Sequence, residues 1–181
     1  ILPPDVNACE FEFTIEGEAP YGGAIRYGLG AIKGLSKVAM LIMEDRLKNG
    51  EYEGLDDFLS RFGKREMNKK ALDVLTLSGA LDSLARKLGE RPITIIDEVD
   101  RTPVSVTYDL SSVIGEDDTI DRIKLLEIIY SLRGYGSIEG VVDSYLDEAQ
   151  VVKIKKKYAK VSDTQDRMAL LSIEQSLLGI Y

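Results

Sequence analysis

The sequence predicts a mostly α-helical protein with a small β-hairpin or sheet at its N-terminal end, an α+β chain of 181 residues. Six stretches carry apolar residues at helical spacing. Segment 9–16 instead alternates Phe11, Phe13 and Ile15 with polar residues, the period of a strand with one wet face. Turn-forming residues separate the stretches, and no long low-complexity run or exact repeat interrupts them.

The elements follow in order. ILPPDVN (1–7) is extended, because Pro3 and Pro4 fix φ and exclude helix. GEAPYGG (17–23) supplies a turn and AIRYGLG (24–30) a second strand, so 9–30 is expected to form a hairpin. Val38, Leu41, Ile42 and Met43 predict a helix over 37–48, with Ser36 as N-cap and Asn49-Gly50 as its end. A short helix is expected over 54–62, and a longer one starts at an Asn68 cap and stops at Gly79. Residues 90–118 are the least legible, with short strands at ITII and VSVTY joined by acidic turns. Helices are expected over 119–132, 137–149 and 163–178. The expected divisions are 1–36, 37–89, a connector over 90–118, and a second helical unit over 119–181.

Composition sets the bounds. With 44% hydrophobic and 30% charged residues, the chain has the make-up of an ordinary globular domain. AMLIM (39–43) is among its longest apolar runs, far short of the roughly 18 residues of a membrane span. No signal peptide is visible, and a start at Ile1 is what a piece of a longer protein would show. Cys9 is the single cysteine, which excludes an internal disulfide and points to a reducing compartment. The chain has no histidine, which excludes His-dependent triads and leaves carboxylates and backbone oxygens for metals. A net charge of −8 argues against a general nucleic-acid coat, so any DNA contact must be local. Residues 1–89 carry a net charge of −2 and the remainder −6, which leaves the lysines of the first part less opposed.

The main candidate site is IRYGLGAIKGLSKVA (25–39). Glycines let the backbone turn sharply, and a tight turn opening a helix aims free N–H groups at an anion. Ile32-Lys33-Gly34-Leu35-Ser36 fits the pattern apolar-x-Gly-apolar-Gly of a helix-hairpin-helix, with Ser36 at the second glycine and Ala39 as the small residue behind. Gly30, Lys33, Gly34, Leu35, Ser36 and Lys37 are the expected phosphate-binding residues, Leu35 tucking between helices. Such contacts position a duplex without reading its sequence. A Gly-rich connection that serves packing alone is the plainer alternative.

Leu132-Arg133-Gly134-Tyr135-Gly136 repeats the pattern with both glycines, followed by Ser137 and by Gly140 as the small residue. It is expected to form a second hairpin, with Arg133 and the amides of residues 135–137 near DNA. The acids Glu139, Asp143, Asp147 and Glu148 oppose a phosphate there, and a close-packed helix–helix turn is the alternative. A third candidate is the helix start at Asn68, where Lys69 and Lys70 stand beside free N–H groups. KIKKKYAK (153–160) is a local positive patch, best read as a solvated face balancing the acidic helix before it. The acids DEVD (97–100) and EDD (116–118) are read as turn carboxylates rather than metal ligands.

Taken together, ILPPDVN, IRYGLGAIKGLSKVA and NKKALDVLTLSGALDSL (68–84) resemble the end of the fingers and the helix-hairpin-helix region of the bacterial DNA polymerase III alpha subunit, a C-family DNA polymerase. The likeness covers 1–89. SIEQSLLGIY (172–181) is similar to the segment before that family's OB domain, while 90–160 departs from its usual region. By resemblance, this chain is a noncatalytic fragment of a replicative nucleotidyltransferase. Its partners would be duplex primer–template DNA and the other polymerase domains, in the cytoplasm of a bacterium or a phage host. The family's Mg²⁺ is held by palm carboxylates that have no counterpart here, so no cofactor is expected in this segment. The family's sliding-clamp peptide also lacks a convincing counterpart, since Gln175-Ser176-Leu177-Leu178 reads as helix core. The alternative is a structural or protein-interaction module of the replisome with no direct DNA contact.

Overall fold

A computed structural model describes residues 1–17, 22–87, 93–96, 103–106, 113–115, 117–147, 149–150 and 162–179. The chain is mostly helical, with a two-stranded antiparallel ribbon near its start. Strand β1 (Thr14–Glu16) pairs with β2 (Ala24–Arg26), placing Ile15 opposite Ile25. The ribbon is shorter than the alternation of 9–16 implies. Residues 10 and 11 leave β geometry to accept the backbone N–H groups of Leu29 and Gly30, and Leu29–Ala31 closes into a 3-10 turn. The Pro-rich start lies beside β2, with the Leu2 N–H donating to Ile25 and the Tyr27 N–H to Leu2.

Helix α1 (Ser36–Asn49) starts one residue earlier than expected, and Ser36 is not its N-cap. Leu35 holds the cap position without a side-chain bond, while the Ser36 hydroxyl donates back to the Gly30 carbonyl. Gly50 (φ +79) ends the helix as predicted. Helix α2 (Leu55–Arg61) and α3 (Lys69–Leu77) follow, and the Asn68 carboxamide caps α3 by accepting the Ala71 N–H at 3.0 Å. Helix α4 (Asp82–Lys87) comes after Gly79, and β3 (Ile93–Ile96) pairs antiparallel with β4 (Pro103–Val106), the two strands expected there. The Asp121 carboxylate caps α5 (Arg122–Arg133), and α6 (Ser162–Leu178) ends at Gly179 (φ +64).

The helix expected over 137–149 does not form. Residues 139–142 turn, Gly140 takes φ +73, and Asp143–Tyr145 makes a single 3-10 turn. Positive φ at Gly134, Gly136 and Gly140 breaks the backbone three times in seven residues, more than the apolar spacing of Val141, Val142 and Tyr145 can override.

One apolar core joins the elements. Val6, Leu29, Leu35 and Ile42 meet Phe58, Leu72, Leu75 and Leu81 from the middle of the chain, and Leu125, Ile129 and Ile173 from its second half. Helix α3 is buried along most of its length and packs against α5 and α6. Arg122 ties the same three regions by charge: its guanidinium meets Asp82 at 2.9 Å, and also donates to Glu174 and the Leu77 carbonyl. Asp82 in the Gly79-Ala80-Leu81-Asp82 turn therefore serves the fold.

Candidate nucleic-acid interface

The interface is built where the 3-10 turn runs into α1. The strap 10–12 crosses residues 28–30 so closely that a Cβ on Gly28 would stand 2.5 Å from the Glu12 carbonyl carbon and 2.7 Å from the Phe11 oxygen. Glycine is required there for close approach. At Gly34 the requirement is conformational: its φ is +83, and nothing crowds the position. That left-handed residue reverses the chain, so Ile32 and Leu35, each 1% exposed, both point into the core. The turn thereby leaves Lys33, Gly34, Ser36 and Lys37 on the surface.

The backbone N–H groups of Gly34, Ser36, Lys37 and Val38 meet no acceptor among the described residues. Three of them belong to the first turn of α1, where a helix leaves its donors unpaired and its dipole is positive. No acid stands in that first turn, and neither lysine is engaged by a carboxylate among the described residues. Four donors and two ammonium groups, unengaged among the described residues and lying within six residues, form a ready anion site.

The turn is held from behind by the far end of the chain. The Lys33 N–H donates to the Leu177 carbonyl at 3.1 Å, and the Tyr27 phenol, 3% exposed, donates to the Leu178 carbonyl. Burial pushes the Tyr27 phenol above its ordinary pKa, keeping it a donor. Sequence reasoning missed this anchor. The Leu178-Gly179 pair signals where α6 ends, and no local pattern says what that end meets.

The other expected residues sit differently. Arg133 does not reach the surface: it is 9% exposed, and its Nη2 donates to the Leu59 and Phe62 carbonyls at 2.9 and 3.0 Å. It satisfies carbonyls at the C-terminal end of α2, which is electrostatically the right place for a cation. Burial without a described carboxylate partner lowers its pKa. Gly134 takes φ +64 as the C-cap of α5, and the Tyr135 ring packs edge-on against Tyr130 at 5.7 Å. The Ser137 hydroxyl accepts the Glu139 N–H. With no second helix, residues 132–140 do not make a helix-hairpin-helix; the glycines end α5 and turn the chain.

At the start of α3, Lys70 is exposed and Lys69 lies over the Tyr130 ring, 4.8 Å from its centroid. Below it Asp73, 5% exposed, accepts from Tyr130 at 2.6 Å and Tyr145 at 3.3 Å. Burial raises the Asp73 pKa, and the two phenols and Lys69 act against that rise. Of the acidic turns, Asp118 pairs with Arg86 at 2.6 Å and Asp117 lies 3.9 Å from Arg167. No three acids or cysteines converge on a metal position among the described residues. The lysine run 153–160 and the acids 97–100 lie outside the described residues.

The comparisons with known proteins agree with the geometry. The family described as the helix-hairpin-helix motif matches residues 1–89. The DNA polymerase III alpha subunit of Deinococcus radiodurans is 43% identical over 88 residues, 48% of this chain and 6% of that protein. Those of Aquifex aeolicus and Bacillus subtilis are 29% identical over 168 residues and 30% over 181, which is 92% and 100% of this chain. The chain is homologous to one segment of the DNA polymerase III alpha subunits. It spans 13% of the length of the Aquifex and Bacillus relatives. The Aquifex and Bacillus alignments extend beyond residue 89, whereas the more identical Deinococcus alignment covers only 88 residues. No helix among the described residues is long and apolar enough to cross a membrane.

Proposed function

We propose that this segment of a DNA polymerase III alpha subunit holds duplex primer–template DNA by its phosphate backbone, behind a polymerase active site located elsewhere in the parent chain. The observation that carries the proposal is the row of unpaired N–H groups at Gly34, Ser36, Lys37 and Val38 beside Lys33 and Lys37. Lys69 and Lys70 are secondary contacts on the same chemistry, and Arg133 is structural. The parent would add nucleotides in the bacterial cytoplasm, and the segment alone would only bind.

A salt-series titration with a short primer–template duplex tests this. Lys33→Ala/Lys37→Ala should weaken binding to every sequence and make the salt slope shallower by about 1 per lost contact. Absence of duplex binding at low salt by the wild-type chain overturns it. A nucleotide-incorporation assay on the same sample should be blank.

A second function, as a packing module for the other polymerase domains, is favoured by the ribbon. Phe13, Ile15 and Ile25 are 50%, 73% and 47% exposed, an apolar face of the kind that marks a protein contact. The two functions occupy different surfaces and are compatible. Absence of duplex binding at low salt would leave the packing role alone.

A further inference from the structure

We propose that the last turn of α6 is a positioning element for the hairpin, with Tyr27 as the residue that couples them. The proposal rests on the phosphate-binding function above and assigns it a point of control. Helix ends leave carbonyls without partners. In α6 the Gln175 carbonyl accepts the Gly179 N–H, and the Leu177 and Leu178 carbonyls accept from the Lys33 N–H and the Tyr27 phenol. The hairpin thus caps the helix, and the helix end fixes the hairpin. Lys33 directly precedes Gly34, so the Leu177 bond holds one flank of the free N–H row, while Leu35 within the row and Ala39 beyond it are buried in the core.

The position of α6 is set from a distance. Glu174 meets Arg122 on α5, and Arg122 also grips Asp82 and the Leu77 carbonyl. Ile173, Leu177 and Leu178 are buried in the common core. Movement of α6 along its axis would break the Leu177 and Leu178 bonds before it broke the core contacts, because hydrogen bonds are lost over smaller displacements than apolar burial. A hairpin freed from α6 samples conformations in which its donors no longer converge. Apparent DNA affinity then falls with the fraction of molecules in the binding form, while the number of phosphate contacts in the complex is unchanged.

Two variants of the 181-residue chain test the coupling. Tyr27→Phe keeps the ring and removes the donor to Leu178, and Glu174→Ala loosens α6 without touching the hairpin. Amide hydrogen exchange is read residue by residue. The Lys33 amide should exchange roughly tenfold faster in both variants, with the Leu72 and Leu75 amides of α3 unchanged. Duplex affinity should fall roughly threefold to tenfold at an unchanged salt slope, in contrast to the shallower slope of Lys33→Ala/Lys37→Ala. Unchanged exchange at Lys33 in both variants overturns the coupling, whether or not the chain binds DNA. Faster exchange with unchanged affinity overturns the control of binding. If wild type binds no duplex, the phosphate function fails by itself, and the exchange result still decides the coupling.

Discussion

The phenol of Tyr27 donates to the carbonyl of Leu178, 151 residues further along the chain. Through this bond and its neighbour from Lys33 to Leu177, the surface proposed to bind phosphate is backed by α6 rather than by the helices next to it in sequence. A helix-hairpin-helix is usually pictured as a local motif. In this chain its turn is finished by a remote element, and several outcomes depend on that.

Gly34→Ala should destabilise the chain by about 1–2 kcal/mol, because an L side chain at a φ of +83 is strained even in open space. Thermal unfolding should shift down by roughly 2–8 °C. Duplex binding should weaken more than the stability loss explains, since the N–H row turns with Gly34. An unchanged melting temperature would contradict the left-handed turn.

Arg133→Ala should cost about 2–4 kcal/mol of stability, as it leaves the Leu59 and Phe62 carbonyls buried without a donor. In denaturant titrations the midpoint should fall. The salt slope of DNA binding in the surviving folded protein should stay at the wild-type value; a shallower slope would return Arg133 to the interface.

Asp73 gives the pH dependence a definite sign. Its folded pKa is raised by burial, so the folded state holds its proton to higher pH than the unfolded chain does. This group therefore favours folding below about pH 4 and loses that advantage as pH rises through its folded pKa. Asp73→Asn, which stays neutral and can still accept from Tyr130, should flatten the decline. The measurement is the denaturant midpoint of both proteins from about pH 4 to 7. Parallel curves would show that Asp73 carries no such linkage.

Cys9 should be inert in the folded chain. It is fully buried, and burial pushes its thiol up to about 11. Iodoacetamide at neutral pH should modify it only after unfolding, followed by the mass shift of the intact protein. Rapid native-state labelling would mean that the N-terminal segment opens far more readily than its bonds to Arg46 and Tyr52 imply.

Legibility from the residues followed the range of the forces. Helices α1, α2, α3, α5 and α6 were readable because cap residues and apolar spacing act within one or two turns, as at Asn68 and Gly50. The hairpin turn was readable for the same reason. Three expectations failed where a local pattern competed with a distant partner or a backbone break. Ser36 looked like a cap, and its hydroxyl went to Gly30 instead. Phe11 and Phe13 looked like strand positions, and the strap over residues 28–30 took that backbone out of the ribbon. The glycines at 134, 136 and 140 looked like a second hairpin and proved to be turns, with no α-helix over residues 137–147.

By itself the sequence determined most of the helices, where they stop, and that Gly34 and Leu35 turn the chain between two lysines. These depend on φ preference, capping and period, all local properties. The tertiary structure alone decided which cations are free to meet a phosphate and what holds the turn. Lys33 and Lys37 stay at the surface, whereas Arg133 is drawn inward by two carbonyls of another helix. Tyr27 finds its acceptor on α6 only because the core brings the two ends of the chain together. A buried polar group must satisfy itself with whatever packing places beside it, and the identity of that neighbour is not written within reach of its own segment.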